Sequence, residues 1–184
     1  LEPAHGLGPL TVTTAGGTSA PLALRQMMLP YGNLSDLAFD TASNSLWVGE
    51  YAANSALRRI DPATGAVLAT IDMTTPVFGS TRFYGGLQLV PQSFSLNGTT
   101  VPAGSLLVFN GEPNTDRILA INPANGSLIA TLTLAENFDT NSGVFHPGTG
   151  HLFILDRRPS QDLLLELDPA NGAVLNSFNA PFNS

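Results

Sequence analysis

The stretch RRIDPATGAVLATI, residues 58–71, decides the fold because its pattern occurs three times in the chain. It returns as LAINPANGSLIATL at 119–132 and as LELDPANGAVLNSF at 165–178. Each copy carries Asp or Asn, then Pro, two short residues and Gly between apolar runs. Pro sets the φ angle of a type I turn, and Gly takes the left-handed position after it. Each copy therefore predicts a β-hairpin.

Two more short apolar runs precede each hairpin and predict two more strands per repeat. The nearer runs are SLWV (45–48), LLVF (106–109) and LFIL (152–155), and the earlier ones are DLAFD (36–40), GLQLV (86–90) and GVFHP (143–147). Leu46, Leu107 and Phe153 each lie 15 residues before the first residue of their turn, which aligns the copies. Every repeat is thus predicted to form four short strands, with an insertion at 91–104 in the second.

Several of these strands, such as LLVF and LLLEL (163–167), are apolar on both faces. A sheet with one solvated face alternates between apolar and polar residues, so continuous apolar strands need cover on both sides. Four-stranded sheets stacked face to face provide that cover, and a repeat of about 40–50 residues is typical of a propeller blade. The predicted fold class is all-β, an incomplete or atypical β-propeller of about three to four four-stranded antiparallel blades.

The predicted domain organisation is an N-terminal extension at 1–33 and a propeller-like domain at 34–184. The domain contains three repeats, at 34–72, 85–134 and 142–179. The extension adds one or two strands, in PLTVTT (9–14) and LALRQMML (22–29). This total falls short of the four to eight blades of known propellers. We therefore expect a fragment, a small irregular propeller, or strands supplied by another chain, with the extension either exchanged between chains or completing a blade in cis.

Composition and charge exclude several functional classes. The formal net charge is −7 and Lys is absent, so no nucleic-acid partner is expected. No apolar run approaches the roughly 18 residues of a membrane span, and the absence of Cys removes disulfide and thiolate chemistry. The low charge and the abundant Thr, Asn and Gly favour an extracellular location, secreted or at the cell surface.

The stretch LSDLAFDTASNSLWVGEYAANSALRRIDPATGAVL, residues 34–68, resembles the repeats of NHL-type and related β-propellers. It has their apolar strand ending in Asp, their second apolar strand and their Asp-Pro-x-Thr-Gly turn, and 109–122 and 152–168 follow the same pattern. The resemblance extends over about residues 34–178 and implies the propeller fold. Such propellers include binders, lyases and lactonases, so the resemblance implies no single activity.

In propellers of this type, polar residues that follow the second strand line one mouth of the central channel. The residues at these positions form the predicted binding site: Glu50, Tyr51, Asn110, Glu112, Asp156 and Arg157. The alternative is a set of exposed loop ends with local ion pairs. Phe83 and Tyr84 are predicted either to bind a glycan or peptide or to seal a blade boundary, whereas Trp47, within a strand, is predicted to pack in the core.

Two features suggest a metal site. Asp139, Asn141 and Gly143 alternate in NFDTNSG, and oxygen ligands at alternate positions suit calcium. The bidentate Glu of a calcium loop is missing, so a solvated turn is the alternative. His146 and His151 flank PGTG and are expected at the two ends of a hairpin turn, as a metal clamp or as surface residues. No cofactor other than calcium is expected.

Nucleophile and nucleotide-binding motifs such as Gly-x-Ser-x-Gly and Gly-x-Gly-x-x-Gly are absent from the sequence. The expected function is a non-enzymatic extracellular interaction or structural module. It would complete its sheet by self-association or with a protein partner, through open blade edges. Two alternatives stay open: a propeller enzyme of the lactonase, lyase or phosphoesterase type with a metal at the channel mouth, and a glycan- or peptide-binding propeller.

Overall fold

The computed structural model describes residues 13–14, 17–18, 33–51, 55–78, 85–112, 115–136, 138, 140–158 and 161–179. These residues form β-strands joined by turns, with one 3-10 turn at Pro76–Phe78. In chain order the strands are β1 Thr13–Thr14, β2 Gly17–Thr18, β3 Asn33–Asp40, β4 Ser45–Tyr51, β5 Ala56–Ile60, β6 Val67–Asp72, β7 Gly85–Leu89, β8 Phe94–Leu96, β9 Thr99–Val101, β10 Leu106–Glu112, β11 Thr115–Ile121, β12 Leu128–Thr133, β13 Thr140–His146, β14 His151–Arg158, β15 Gln161–Leu167 and β16 Val174–Asn179.

Most of these strands belong to three four-stranded antiparallel sheets. Blade 1 is β3-β4-β5-β6, blade 2 is β7-β10-β11-β12 and blade 3 is β13-β14-β15-β16. The chain leaves blade 2 after β7, forms the β8–β9 hairpin and returns as β10. The blades stack face to face, and the first strand of blade 2 lies beside the first strands of blades 1 and 3. The predicted fold class is confirmed: the protein is all-β, and its blades form an incomplete β-propeller.

The three repeated turns join the third and fourth strands of each blade, as predicted. In blade 1, Asp61 Oδ1 accepts a hydrogen bond from Ala63 N at 2.8 Å, and Gly65 N donates to Asp61 O at 2.8 Å. Asn122 and Asp168 make the same two bonds in the other blades. The glycine of each turn has φ between +72° and +76°, a conformation that other residues rarely adopt. Local turn chemistry therefore fixes the position of each hairpin.

Two apolar cores hold the stack together, one on each face of blade 2. The core between blades 1 and 2 contains Trp47, Leu57, Leu87, Val108 and Leu119. The core between blades 2 and 3 contains Leu107, Phe109, Ile118, Phe145, Leu152 and Ile154. Blade 2 is thus covered on both sides, as its apolar strands predict. Trp47 is fully buried, which confirms its predicted place in the core.

The insertion at 91–104 forms the β8–β9 hairpin and connects blade 2 with blade 3. Leu96 and Val101 are fully buried and belong to the core between these blades. At the hairpin tip, Asn97 N donates to Pro169 O at 2.9 Å, and Asn97 Nδ2 donates to Thr131 O at 3.0 Å. The first carbonyl belongs to blade 3 and the second to blade 2. The insertion therefore stabilises their contact.

The chain divides into two compact units, Leu1–Pro30 and Tyr31–Ser184. In the first unit, β1 and β2 pair as a short antiparallel hairpin. The strand predicted at 22–29 lies outside the described residues. The second unit contains all three blades. No helix in the described part of the chain is long and apolar enough to cross a membrane.

Candidate functional site

Strand pairing shows which residues of the three blades are equivalent. The second-strand residue that pairs with the residue just before the turn is Leu46 in blade 1, Leu106 in blade 2 and Leu152 in blade 3. The alignment predicted from the sequence, Leu46 with Leu107 and Phe153, is therefore wrong by one residue in blades 2 and 3. Because alternate residues of a strand lie on opposite faces, this correction changes which side chains share a face.

The difference arises in the connection between the second and third strands. In blade 1, Glu50 pairs with Ala56, six positions later, whereas in blade 2 Asn110 pairs with Arg117, seven positions later. Blade 3 follows blade 2 in this respect. The connection of blade 1 is thus one residue shorter, and an alignment anchored on the later turn displaces the second strand by that residue.

Each blade has a forward face, turned toward the position of the next blade in the chain, and a rear face on the opposite side. The forward faces contain Trp47 and Leu57 in blade 1, Leu107 and Phe109 in blade 2, and Phe153 and Leu155 in blade 3. The rear faces contain Val48 and Ile60 in blade 1, Val108 and Ile121 in blade 2, and Ile154 and Leu167 in blade 3. The two cores therefore join the forward face of one blade to the rear face of the next.

With the corrected alignment, the predicted site residues Glu50, Asn110 and Asp156 are equivalent. They lie on the rear faces, near the ends of the second strands, and all three are buried. Glu50 forms an ion pair within blade 1, with Oε2 at 2.9 Å from Arg58 Nη2. Ligand binding by these positions stays a prediction.

The other residues of the predicted channel-mouth site lie at strand ends. Tyr51 and Glu112 are the last residues of β4 and β10, and Arg157 is the next-to-last residue of β14. Phe83 and Tyr84, proposed from the sequence as exposed aromatic residues, lie outside the described residues. A binding role for these five residues is not tested by the structure.

The calcium prediction also stays open, because Asp139 lies outside the described residues and Asn141 is described only as part of β13. His146 and His151 pair across the β13–β14 turn, as predicted. His151 Nδ1 lies 2.7 Å from Glu166 Oε1. Within the described residues, no three His, Cys, Asp or Glu side chains are placed to hold a metal ion.

Polar side chains on the first strands link each blade to the next. Between blades 1 and 2, Asp36 Oδ2 accepts a hydrogen bond from Leu87 N at 2.8 Å. Between blades 2 and 3, Gln88 Oε1 accepts from Phe145 N at 2.6 Å and Gln88 Nε2 donates to Phe145 O at 3.2 Å. Specific contacts between blades thus run through their first strands.

A buried carboxylate makes a further link between blades 2 and 3. Asp116 Oδ2 accepts hydrogen bonds from Phe138 N at 2.7 Å and from Thr140 Oγ1 at 2.9 Å. Phe138 and Thr140 lie where the chain enters blade 3. The residue equivalent to Asp116 in blade 3 is Asp162, which is exposed.

The first strands of blades 2 and 3 approach so closely that side chains are excluded between them. A Cβ added to Gly86 would lie 2.7 Å from Gly143 N, and a Cβ added to Gly143 would overlap the ring of Phe109. Distances this short do not occur between real Cβ atoms and backbone nitrogen. Glycine at both positions therefore permits this packing.

The forward face of blade 3 carries an exposed apolar patch beside polar side chains such as Glu166 and Asn176. Val144, Leu155 and Phe178 lie on it with 43%, 41% and 44% of their surface exposed. Phe153 and Leu164 lie between them and are half-buried. We call these five residues the open face. This patch is a candidate surface for interaction with another molecule.

Four of these five positions are buried in the two preceding blades. Phe153 corresponds to Trp47 and Leu107, Leu155 to Gly49 and Phe109, Leu164 to Leu57 and Ile118, and Phe178 to Ile71 and Leu132. All eight of these equivalents are buried against the next blade. Blade 3 therefore exposes the side-chain positions through which blades 1 and 2 bind their neighbours. The sequence analysis anticipated a bare blade surface but named none of these residues, although the alternation in LFILD already places Phe153 and Leu155 on one face.

At the other end of the stack, the rear face of blade 1 is open along its first strand. Leu37 and Phe39 of β3 are 60% and 49% exposed, and Leu34 is nearly half exposed. Val48 and Ile60, on the middle strands of the same face, are buried. The accessible parts of this face are therefore β3 and the outermost strand β6, where Val67 is 40% exposed.

No protein-family model matches the chain, and no curated protein is significantly similar to it in sequence. Solved structures share its fold. A protein of unknown function from Bacteroides caccae matches with a TM-score of 0.50 and 15% identity over 94% of this chain and 57% of its own. The Dos1 propeller matches with a TM-score of 0.51 and 14% identity over 94% of this chain and 42% of its own. The chain thus spans about half the length of these structures, which are similar to it in fold alone.

Proposed function

We propose that the protein is a non-enzymatic interaction module of the β-propeller type, and that its binding surface is the open face of blade 3. The observation that carries this proposal is the contrast between equivalent positions. Leu155 and Phe178 are exposed, whereas Phe109 and Leu132, which occupy the same positions in blade 2, are buried. The surface that binds a neighbouring blade in blades 1 and 2 is therefore available in blade 3.

The exposed apolar area provides a driving force of useful size. Full burial of a Val, Leu or Phe side chain contributes about 1.5–3 kcal/mol. About two-fifths of Val144, Leu155 and Phe178 is exposed, so covering all three contributes about 2–4 kcal/mol. Covering the open face thus supplies a substantial part of the free energy of a typical protein–protein association.

Three further observations support this function. The pattern of 34–68 supports placing the chain with NHL-type propellers, which include binding proteins. The Dos1 propeller shares the fold. The low charge and the absence of Lys support an extracellular or cell-surface setting. In this proposal the module completes its stack of blades either by self-association or with another protein.

A cysteine placed on the open face tests the proposal. The chain has no cysteine, so Leu155→Cys reports on this face alone, and Ser95→Cys, at an exposed position of β8, is the matched control. The thiol-labelling rate of each variant is measured in dilute solution, in concentrated solution and in the medium of cells that produce the protein. We expect labelling at 155 to slow by about tenfold when the face is occupied, with no change at 95. Equal, fast labelling at both positions under every condition contradicts the proposal.

A further inference from the structure

We propose that the open face binds a basic partner, a protein segment that places an Arg or Lys side chain against Glu166 and covers the neighbouring apolar residues with apolar side chains of its own. This inference deepens the proposed function and rests on it. The partner is thus defined by its charge as well as by its apolar surface, and Glu166 is the residue that selects the charge.

Glu166 lies in the middle of the forward face of blade 3, in register with Phe153 of β14 and Asn176 of β16. The equivalent residue of blade 2 is Ala120, which is fully buried in the core between blades 2 and 3. Its neighbour on the outermost strand, Ala130, is buried in the same core. The internal junction is therefore apolar at the two positions where the forward face of blade 3 carries a carboxylate and an amide.

An occupant with the chemistry of the chain's own blades does not suit Glu166. The residues that blade 3 contributes to the internal junction are apolar, among them Leu152, Leu165 and Leu167. A carboxylate covered by such side chains loses water without gaining a hydrogen-bond donor, which is unfavourable. A guanidinium or ammonium group supplies both the donors and the opposite charge. The occupant that fits this face therefore carries a basic side chain opposite Glu166.

The Glu166 carboxylate is already held in position for such a contact. Its Oε1 lies 2.7 Å from His151 Nδ1, and the Glu166 side chain is only 17% exposed. Its other oxygen, Oε2, accepts no hydrogen bond from the described residues. A neutral imidazole leaves the negative charge of the carboxylate in place. Because His151 fixes the side chain, little conformational freedom is lost when a partner binds Oε2.

Charge complementarity favours another protein over a second copy of the chain. Asp162, also on β15, is in register with Arg157, a residue of opposite charge. Glu166 has no basic residue in register with it among its paired strands. At long range, the chain has a formal net charge of −7 and contains no Lys. This charge attracts a basic protein and repels a second copy.

Three pentapeptides with blocked ends test the inference. Each has Leu at its first and last positions and Thr at its second and fourth, with Arg, Gln or Glu in the centre. In an extended peptide, the two Leu side chains and the central side chain lie on one side. NMR titration of the isotope-labelled protein at millimolar peptide concentration measures each affinity from the amide signals of β14, β15 and β16. We expect the Arg peptide to bind about tenfold more tightly than the Gln peptide, and the Glu peptide to bind least.

Variants of the protein assign the preference to one residue. Glu166→Gln keeps an acceptor for His151 but removes the charge, so the Arg peptide is expected to lose about tenfold in affinity while the Gln peptide is unaffected. Glu136→Gln changes an exposed carboxylate elsewhere and is the matched control, expected to keep the preference. Leu155→Ser is expected to weaken all three peptides, because they share the apolar patch. Unchanged emission from Trp47 shows that each variant is folded.

The outcomes separate this inference from the proposed function. A preference for Arg that persists in Glu166→Gln assigns the charge contact to another residue and overturns the inference. Peptides that bind the open face equally well whatever their central residue also overturn it, but support this face as a binding surface. If no peptide shifts the signals of blade 3, the inference is overturned, and the proposed function is judged independently by the thiol labelling of Leu155→Cys.

Discussion

Replacing Gln88 with Ala removes both hydrogen bonds that its side chain makes to one residue of the next blade. β13 is the first strand of blade 3, and the N–H and C=O of Phe145 point from it toward blade 2, where the Gln88 amide meets them at 2.6 Å and 3.2 Å. Phe145 is almost fully buried, so water does not readily replace the lost partner. Each net hydrogen bond contributes about 1 kcal/mol, and an unsatisfied buried group costs about 1–3 kcal/mol.

We therefore expect Gln88→Ala to lower the free energy of unfolding by about 2–3 kcal/mol. For a chain of this size, that loss corresponds to a fall in Tm of about 4–12 °C. Gln92→Ala is the matched control, since Gln92 makes one exposed hydrogen bond, to Pro147 O at 3.1 Å, and its loss is expected to cost at most about 0.5 kcal/mol. Urea unfolding followed by the emission of Trp47 and by circular dichroism measures both variants. Coincident transitions establish that unfolding is two-state.

Gln88→Glu tests whether the side chain at position 88 contacts both the N–H and the C=O of Phe145. The introduced carboxylate accepts from Phe145 N but repels Phe145 O, so its pKa in the folded protein is expected to rise above the usual value of about 4.3. A raised folded-state pKa means that the variant gains stability relative to the wild type as the pH falls through that pKa. Equal unfolding midpoints for Gln88→Ala and Gln92→Ala, or a Gln88→Glu deficit that does not shrink between pH 7 and 4.5, would refute the role assigned to this amide.

Three further predictions concern the turns, the insertion and the tight blade contact. The hydroxyl of Thr74 donates a hydrogen bond to the Asp72 carboxylate and holds the pKa of that carboxyl group below 3.8. The wild type is therefore expected to be more stable than Asp72→Ala above that pH, and this advantage is lost as the pH falls through the lowered pKa. A difference in urea midpoint that stays constant from about pH 6 to 2.5 contradicts this expectation. Leu96→Ala is expected to lower the free energy of unfolding in urea by about 2–5 kcal/mol, because the Leu96 side chain is fully buried in the core between blades 2 and 3. A decrease of less than about 1 kcal/mol argues against that packing. Gly143→Ala places a Cβ against the ring of Phe109 and is expected to cost about 1–3 kcal/mol; unchanged thermal unfolding shows that the strands are not so close.

The positions of the hairpins and the stacking of sheets could be predicted from the sequence because both depend on local patterns. The turn at Asp61 is determined by residues within five positions, through the bonds to Ala63 and Gly65. The need for cover on both faces follows from apolar runs such as LLVF, and blade 2 is indeed covered on both sides. These features require no knowledge of which distant residues meet.

The equivalence of site residues could not be predicted, because it depends on a single residue in one connection. Glu50, Asn110 and Asp156 share a position only when the shorter connection of blade 1 is taken into account. A shift of one residue places a side chain on the opposite face of its strand. The sequence also could not predict that the insertion connects blades 2 and 3. The hydrogen bonds of Asn97 with Pro169 and Thr131 join segments that are far apart in the sequence and share no pattern.

The side chains on the forward face of blade 3 can be compared with those of a repeat that ends a stack in water. In proteins built from stacked repeats, an outermost repeat that ends the stack in water carries a polar outer surface, because an apolar one would lower solubility. The outer surface of blade 3 is mixed: Val144, Leu155 and Phe178 are apolar and exposed, whereas Glu166 and Asn176 on the same face are polar. At each of these positions a polar side chain would leave the contacts with blade 2 intact, since all three lie on the face turned away from it. Packing between blades 2 and 3 therefore does not require these three residues to be apolar, and their apolar character supports the proposed binding role of the open face.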